Sequence, residues 1–248
     1  MNSDGQSFRV PRHRRLSWDL LHYHRSIPLC PHDRLMPLGP LADTRSRCRQ
    51  RVSWPALFLK GWATVAAEIP EFRQCWYRWP LAHIYQHPTS VGVLTVSREY
   101  RNATWLFWKL LESPDQMSLV DIQAAINDAS TQPPKQMFRN QVRLAGLPTW
   151  LRRLAWSWNI NVAKGNRATR LGTFFLSTLA GRGAEIQLPP SIQTTCLTYG
   201  PLDANGICRV TLAYDHRLLD GVLAAEGLAR LENVLLETLQ TELLHDNI

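Results

Sequence analysis

The sequence predicts one α/β domain with an antiparallel or mixed sheet. Segments with helical periodicity alternate along the 248 residues with β-branched, strand-like segments. Asn205-Gly206, a strong hairpin signal, lies between the last two strand-like segments. No repeat or low-complexity linker divides the chain, and the apolar fraction of 45% with a charged fraction of 19% is typical of globular domains.

The first half of the chain contains two predicted helices and one predicted strand. Residues 17–26 have a helical pattern, whereas residues 37–51 are turn-rich with room for a short strand. The helix predicted over 53–72 has Ser53 as a candidate N-cap, a proline in its first turn and a proline that stops it. Residues 89–97 are β-branched and predict a strand.

The second half of the chain contains three predicted strands between two predicted helices. Residues 118–130 begin at a serine, a favoured N-cap, and predict a helix. The strands are predicted over three segments rich in β-branched and apolar residues: 171–178, 192–200 and 207–216. The final helix, 221–240, carries leucines along one stripe.

The net charge of the chain indicates which classes of binding partner to expect. The 28 Lys and Arg residues exceed the 20 acidic residues, which gives a formal net charge of +8, and the arginine clusters at 11–15 and 45–51 suit phosphate groups. No nucleic-acid-binding signature is present, so no nucleic-acid partner is predicted.

The five cysteines are scattered without a CxxC pair, which predicts neither a metal site nor disulfides. The lack of a signal-peptide pattern and of an 18-residue apolar run predicts a cytoplasmic protein.

The strand predicted over 207–216 ends in a polar cluster that contains His216, Asp220 and Gly221. Strand alternation puts Tyr214 and His216 on one face, and Asp220 stands where it would cap the last helix. For each residue alone, a structural role is favoured: a cap for Asp220 and a core position for His216. The alternative is that the cluster belongs to an active site.

Residues 215–221 match the DHRxxDG signature of the dihydrolipoamide acyltransferases, the catalytic cores of 2-oxoacid dehydrogenase complexes, without a mismatch. That signature is similar to the HHxxxDG motif of chloramphenicol acetyltransferase. Other segments resemble the family in the same order, namely "SWPALFLKGWATVAAEIPEFR", "GTFFLSTLAGRG", "TTCLTYG" and "VTLAYDHRLLDG". The resemblance implies a chloramphenicol acetyltransferase-like two-layer α/β sandwich over residues 8–245, with helices on one face of a mixed or antiparallel sheet.

The resemblance also implies a reaction and residues that perform it. His216 corresponds to the histidine that acts as general base on the acceptor, without a covalent acyl-enzyme. Ser177 corresponds to the serine whose hydroxyl stabilises the oxyanion, and Thr198 to a threonine that assists there through water. No cofactor or metal is expected to stay bound, since acyl-coenzyme A or an acyl carrier protein is the co-substrate.

Asp220 corresponds in the family to a structural acid that pairs with an arginine and keeps the histidine loop rigid. Arg14 and Arg15 are the candidate partners in this chain. Family members are trimers or cages of trimers with the active site between subunits. The resemblance therefore implies a homotrimer in which His216 and Ser177 come from different chains.

The chain departs from the lipoyl-bearing members of the family in two respects. We expect a stand-alone member without a lipoyl domain, since no lipoyl-lysine sequence context is found in these residues. The segment at about 133–170 is longer than the usual link, so it is interpreted as an inserted amphipathic helical segment. A helical wheel separates apolar from polar residues, with Trp150, Leu151, Leu154, Trp158 and Val162 opposite Arg152, Arg153 and Asn159. Such a helix lies on a membrane, caps an apolar acyl channel, or packs on the domain or a subunit contact; packing is favoured because amphipathic helices usually face their own core.

The sequence thus predicts a stand-alone acyltransferase. It would move an acyl group from a thioester donor to a hydroxyl, thiol or amine of a small-molecule or lipid acceptor, with arginine clusters on the donor phosphates. The alternative is a catalytically degenerate acyltransferase fold that serves as a scaffold or a membrane-surface binding module. Intact His216, Ser177 and Gly221 favour the enzyme, because a scaffold need not retain them.

Overall fold

The computed structural model describes residues 5–245 and has a six-stranded sheet at its centre. The strands are Leu29–Pro37 (β1), Gln74–Tyr77 (β2), His83–Gln86 (β3), Val91–Glu99 (β4), Thr104–Glu112 (β5), Phe174–Thr178 (β6), Thr195–Leu202 (β7) and Ile207–Asp215 (β8). β2 and β3 form a separate hairpin, and the order in the large sheet is β1-β8-β7-β6-β4-β5.

The helices lie between and after these strands. They are Arg15–His24 (α1), Gly39–Arg47 (α2), Trp54–Glu68 (α3), Leu119–Thr131 (α4), Pro134–Met137 (α5), Arg139–Leu144 (α6), Thr149–Asn161 (α7), Lys164–Leu171 (α8), Gly221–Asn233 (α9) and Gln240–His245 (α10). A π-helical segment, Val234–Leu239, joins α9 to α10. None of the described helices is long and apolar enough to cross a membrane.

The large sheet is mixed, as predicted. β6 runs parallel to its neighbours β4 and β7, and the remaining neighbours are antiparallel. The β7–β8 hairpin turns at Asn205-Gly206, where Gly206 has a φ of +75°. A Cβ at Gly206 would lie 2.7 Å from the Cα of Gly39, so both the backbone angle and the close approach require glycine.

The structure differs from the sequence prediction in two places. The turn-rich prediction for 37–51 is wrong, because Leu38 and Leu41 are buried in the core and residues 39–47 form α2. The strand lies earlier, in β1, whose prolines are tolerated because β1 is an edge strand. β5 was not predicted because its apolar residues do not alternate with polar ones. The other predicted helices and strands are confirmed within a few residues.

The main core lies between one face of the sheet and a helical layer formed by α3, α4 and α9. Leu176, Leu197 and Leu212 occupy paired positions on β6, β7 and β8 and belong to this core. The indole Nε1 of Trp62 on α3 donates to Thr195 Oγ1 on β7 over 3.1 Å, which joins the two layers through a buried hydrogen bond. This layer holds the ends of β6 and β8 in place.

The helical segment that includes α5 to α8 lies against the opposite face. Trp156 of α7 meets Trp108 of β5 edge-to-face at 6.1 Å, and α8 contacts β4 and β5. A buried ion pair joins α7 to α1, because Arg152 Nε donates to Asp19 Oδ2 over 2.6 Å. Tyr23 of α1 also stacks on the Trp156 ring.

The orientation of α7 contradicts the expectation that its apolar stripe packs on the domain. Trp150, Leu154 and Trp158 are 67%, 60% and 56% exposed, whereas Arg152 and Trp156 are buried. The ion pair explains this orientation. A buried guanidinium without a carboxylate partner would be costly, so the side of α7 that carries Arg152 turns inward toward Asp19 of α1. The apolar stripe therefore faces outward.

Candidate active site

The tight turn between β8 and α9 presents His216. The strand ends at Asp215, and the backbone N–H of His216 donates to the carbonyl of Pro28 over 3.0 Å. The amides of Leu218 and Leu219 both donate to the Asp215 carbonyl, which closes the turn. The His216 side chain is exposed, and its ring lies 5.5 Å from that of Tyr214. A fixed backbone thus carries an imidazole that substrate can reach.

A buried carboxylate, which the sequence did not single out, holds this turn. Asp215 is 4% exposed and accepts from Arg217 through both carboxylate oxygens, at 2.8 Å from Nε and 2.6 Å from Nη2. The Arg217 backbone amide donates to the same carboxylate. The guanidinium lies 5.6 Å from the centroid of the Trp76 ring on β2. Both residues lie in the DHRxxDG signature, the signal from which their role could have been inferred.

Asp220 is the N-cap of α9. Its Oδ1 accepts from the Leu223 amide over 2.9 Å, as the structural interpretation predicted. The expected ion pair with Arg14 or Arg15 is wrong for residues 5–245 of a single chain, in which Asp220 forms no salt bridge. The reason is that Arg15, at the start of α1, donates to the carbonyl of Ala145 at the end of α6 instead.

A small polar cluster lies behind the motif glycine. A Cβ at Gly221 would lie 3.1 Å from His32 Nε2, so the start of α9 approaches β1 closely. His32 Nδ1 and the Tyr214 hydroxyl are buried without a hydrogen-bond partner in the described part of the chain. Burial, followed by the proximity of the Cys30 thiol and of the Asp220 carboxylate, raises the pKa of Tyr214 to about 12. Tyr214 is therefore a neutral hydroxyl beside His216 at neutral pH.

Ser177 and Thr198 lie together on adjacent strands, as the resemblance implied. Ser177 of β6 pairs with Thr198 of β7, which pairs with Thr211 of β8, which pairs with Asp33 of β1. Paired residues share a face, so the four form one polar row across the sheet. The Thr211 hydroxyl donates to Asp33 over 2.7 Å, while Thr198 Oγ1 is buried without a partner among residues 5–245.

One chain does not bring Ser177 and His216 together. Ser177 is level with Thr211, and His216 lies five residues beyond Thr211 along β8. Five residues span about 17 Å along a strand, and two strand spacings add about 10 Å across the sheet, so the residues are roughly 20 Å apart. A nucleophilic acceptor cannot touch both side chains of the same chain.

A cleft of about 1010 Å³ borders the histidine turn at Arg217. Its lining combines aromatic and basic side chains, including Trp76, Trp79, Arg78, Arg167 and Arg217. Arg167 is committed to structure, since it donates to the carbonyls of residues 76, 160 and 192. Among residues 5–245, no group of three or more His, Cys, Asp or Glu side chains is arranged to hold a metal ion.

Comparison with solved structures identifies the fold. A probable dihydrolipoamide acetyltransferase from Listeria monocytogenes superposes with a TM-score of 0.67 at 15% identity, over 95% of each chain. The dihydrolipoamide acetyltransferase of Azotobacter vinelandii gives 0.65 at 17% identity, over 96% of this chain and 94% of that one. A chloramphenicol acetyltransferase gives 0.52 at 14% identity, over 92% and 96%.

The chain has the chloramphenicol acetyltransferase-like fold. The predicted fold class is confirmed, and the superposition extends over nearly the whole chain. No protein-family profile and no curated protein sequence matches the chain. At these identities the comparison establishes architecture, so the chemistry of the site depends on the residues described above.

Proposed function

We propose that the protein is an acyltransferase that moves an acyl group from a thioester to a hydroxyl, thiol or amine acceptor. The observation that carries the proposal is the DHRxxDG turn, which presents an exposed His216 from a backbone locked by Asp215, on the fold of known acetyltransferases. The catalytic mechanism of the Azotobacter enzyme has been studied through a serine, a histidine and an asparagine four residues after that histidine. The spacing of His216 and Asp220 is the same.

The proposed chemistry is direct transfer. An imidazole ordinarily exchanges protons near neutral pH, so His216 removes the acceptor proton as the acceptor attacks the thioester carbonyl. The Ser177 hydroxyl donates to the oxyanion of the tetrahedral intermediate, and Thr198 supports it from the next strand. The intermediate then expels the thiolate, which takes the proton back from His216.

The proposed active site is formed between two chains of a homotrimer. The separation of roughly 20 Å between Ser177 and His216 supports this arrangement, because a second chain must supply one of them. The turn that carries His216 is exposed and Ser177 is partly exposed, so a second chain can approach both. Solved structures with the same fold include the cubic core of a pyruvate dehydrogenase complex.

The proposed donor is acyl-coenzyme A or an acyl carrier protein. Its phosphates fit the cleft beside the histidine turn, where Arg78 supplies a positive charge and Trp76 and Trp79 offer flat aromatic surfaces. The same cleft reaches Tyr23 and Ile160 on the insert side. This arrangement would bring the pantetheine thiol toward the end of β8.

The decisive experiment measures free-thiol release from a panel of acyl-coenzyme A donors with mixed acceptors. Wild-type protein should release thiol in an acceptor-dependent manner, and His216→Ala should reduce turnover by ~10²–10⁴-fold. Ser177→Ala should lower kcat by about 10²-fold with little change in donor KM. His245→Ala, which removes an exposed histidine outside the proposed donor cleft, is the matched control. Donor cleavage at the wild-type rate in a folded His216→Ala protein would refute the mechanism.

A second function, contact with an anionic membrane surface, is favoured by α7. The segment 133–170 contains no Asp or Glu and many basic residues, namely Lys135, Arg139, Arg143, Arg152, Arg153, Lys164, Arg167 and Arg170. Within it, the outward stripe exposes Trp150, Leu154 and Trp158. Tryptophan and leucine beside basic side chains suit the boundary of an anionic bilayer. A second copy of the same basic segment would be repelled.

A further inference from the structure

A cavity separate from the histidine turn lies between the inserted segment and the sheet. Its volume is about 760 Å³, within the ~300–1,000 Å³ of typical small-molecule sites. Most of its walls are apolar, and they come from α1, the sheet, α5 to α8 and the loop before β7: Leu16, Leu20, Val93, Trp108, Leu110, Met137, Phe138, Leu144, Trp156, Leu171, Phe175 and Ile192. Such walls favour an aliphatic or aromatic ligand.

The charge around this cavity has one sign. The basic side chains of Arg139 and Arg170 line it, and no Asp or Glu does. Neither forms a salt bridge with a residue of the described chain, 5–245. Two cations without an acidic partner beside apolar walls favour a ligand that ends in an anionic group.

The polar groups deeper in the cavity are largely satisfied. The Gln141 side chain accepts a hydrogen bond from the Trp108 backbone amide and donates one to the Trp108 carbonyl. The Gln193 side chain donates a hydrogen bond to the Leu171 carbonyl. The exception is Trp156, which is 6% exposed and whose Nε1 has no acceptor among residues 5–245. A buried indole N–H without an acceptor is uncommon, and a ligand oxygen would satisfy it.

We propose that this cavity binds an unbranched aliphatic chain that carries an anionic group. The apolar walls take the chain, while Arg139 and Arg170 attract the anionic end. Phe175 lines the cavity, and Ser177 lies two residues farther on the same face of β6, about 7 Å away. The ligand is therefore one of two kinds. It is a free fatty acid, whose carboxylate supplies the charge, or the acyl chain of a thioester donor, whose phosphates supply it.

The cavity gives the helical segment 133–170 a role besides covering the sheet. α7 turns Trp156 toward the sheet, and α6 holds the edge strand β5 through Gln141, so these helices build a chamber rather than a solid layer. Removing water from such a chamber favours an apolar ligand. The inference concerns binding alone and does not depend on the proposed acyl transfer.

The test titrates the full chain with dodecanoate by calorimetry, with dodecanol and dodecyltrimethylammonium as neutral and cationic probes. Dodecanoate should bind at least tenfold more tightly than either. Arg139→Ala and Arg170→Ala should each weaken it by roughly tenfold, whereas Arg143→Ala, on the same helix as Arg139 but outside the cavity, should not. Ala155→Phe, which fills the cavity, should abolish binding. Circular dichroism melts check that each variant folds.

Absence of dodecanoate binding, or equal binding by the Arg139, Arg170 and Ala155 variants, would overturn the proposal. Competition with dodecanoyl-coenzyme A then identifies the source of the chain. Displacement of dodecanoate from the wild-type protein by dodecanoyl-coenzyme A, but not by coenzyme A without an acyl chain, indicates the acyl chain of a thioester. Dodecanoate binding without displacement indicates a free fatty acid. Because binding is measured without turnover, an inactive protein that binds dodecanoate separates this proposal from the proposed acyltransferase.

Discussion

Ser177 and His216 lie at opposite ends of the central sheet of one chain, roughly 20 Å apart. They share no hydrogen bond and no common cavity among residues 5–245. The β6–β7–β8 register imposes this separation, because β8 runs antiparallel to β7 and carries His216 away from Ser177. If both residues act on one acceptor, as proposed, two chains are needed to place the acceptor between them.

Subunit complementation tests this geometry. His216→Ala and Ser177→Ala chains should each be inactive, and refolding them together should restore part of the activity, since mixed trimers contain some sites with both native residues. Light scattering should give the mass of a trimer. No recovery after demonstrated subunit exchange would show that one chain supplies both residues. Refolding each variant alone is the control.

Asp215 and Asp220 are expected to differ in importance. Asp215→Asn removes the buried carboxylate that pairs with Arg217, so the histidine turn should loosen and kcat should fall by about 10²-fold with a smaller change in KM. Asp220→Asn keeps an N-cap that is about as good as aspartate, so melting temperature and activity should stay near wild type. The pair forms a matched comparison, assayed by melting and steady-state kinetics. Loss of activity in Asp220→Asn would indicate that its charge contacts another chain.

His87 predicts a loss of stability in weak acid. Burial, assisted by Arg167 and Arg73, lowers the pKa of His87 from 6.5 to about 4 in the folded state. Between these two pH values the unfolded chain binds more protons at this residue than the folded chain does. The contribution of neutral His87 to the free energy of unfolding is therefore complete above pH 6.5 and is lost as the pH falls toward 4. His87→Gln should flatten this part of the melting-temperature profile, and His22→Gln, an exposed control, should not. An unchanged profile in His87→Gln would assign the acid sensitivity to other groups.

The outward stripe of α7 predicts selective binding to anionic vesicles. Wild-type protein should cosediment with phosphatidylcholine vesicles that contain phosphatidylglycerol and only weakly with phosphatidylcholine alone. Trp150→Ser with Trp158→Ser should reduce cosedimentation by at least tenfold. Trp79→Ser, which removes a similarly exposed tryptophan outside α7, is the control. If the double variant instead changes only the oligomer mass, a second copy of the chain covers the stripe.

Buried ionic contacts across distant segments explain why the orientation of α7 could not be predicted. A helical wheel shows the apolar and polar sides of residues 149–161, and hydrophobicity alone favours burial of the apolar side. The structure buries the opposite side because Arg152 meets Asp19, 133 residues away in sequence. Asp220 shows the same limit. Its helix cap was predictable from local sequence, but whether Arg14 or Arg15 forms an ion pair with it depends on how α1 packs.

The sequence by itself determined the α/β class, the Asn205-Gly206 hairpin, the Ser118 and Asp220 caps and the residues of the histidine turn. Each depends on contiguous residues, whose periodicity, turn preference or hydrogen-bonding side chain acts over a few positions. Tertiary structure alone decided the edge position of β1, the outward stripe of α7, the cavity beneath it and the separation of Ser177 from His216. These features depend on strand register and on pairs of residues far apart in sequence, and their energies exist only once the chain has packed.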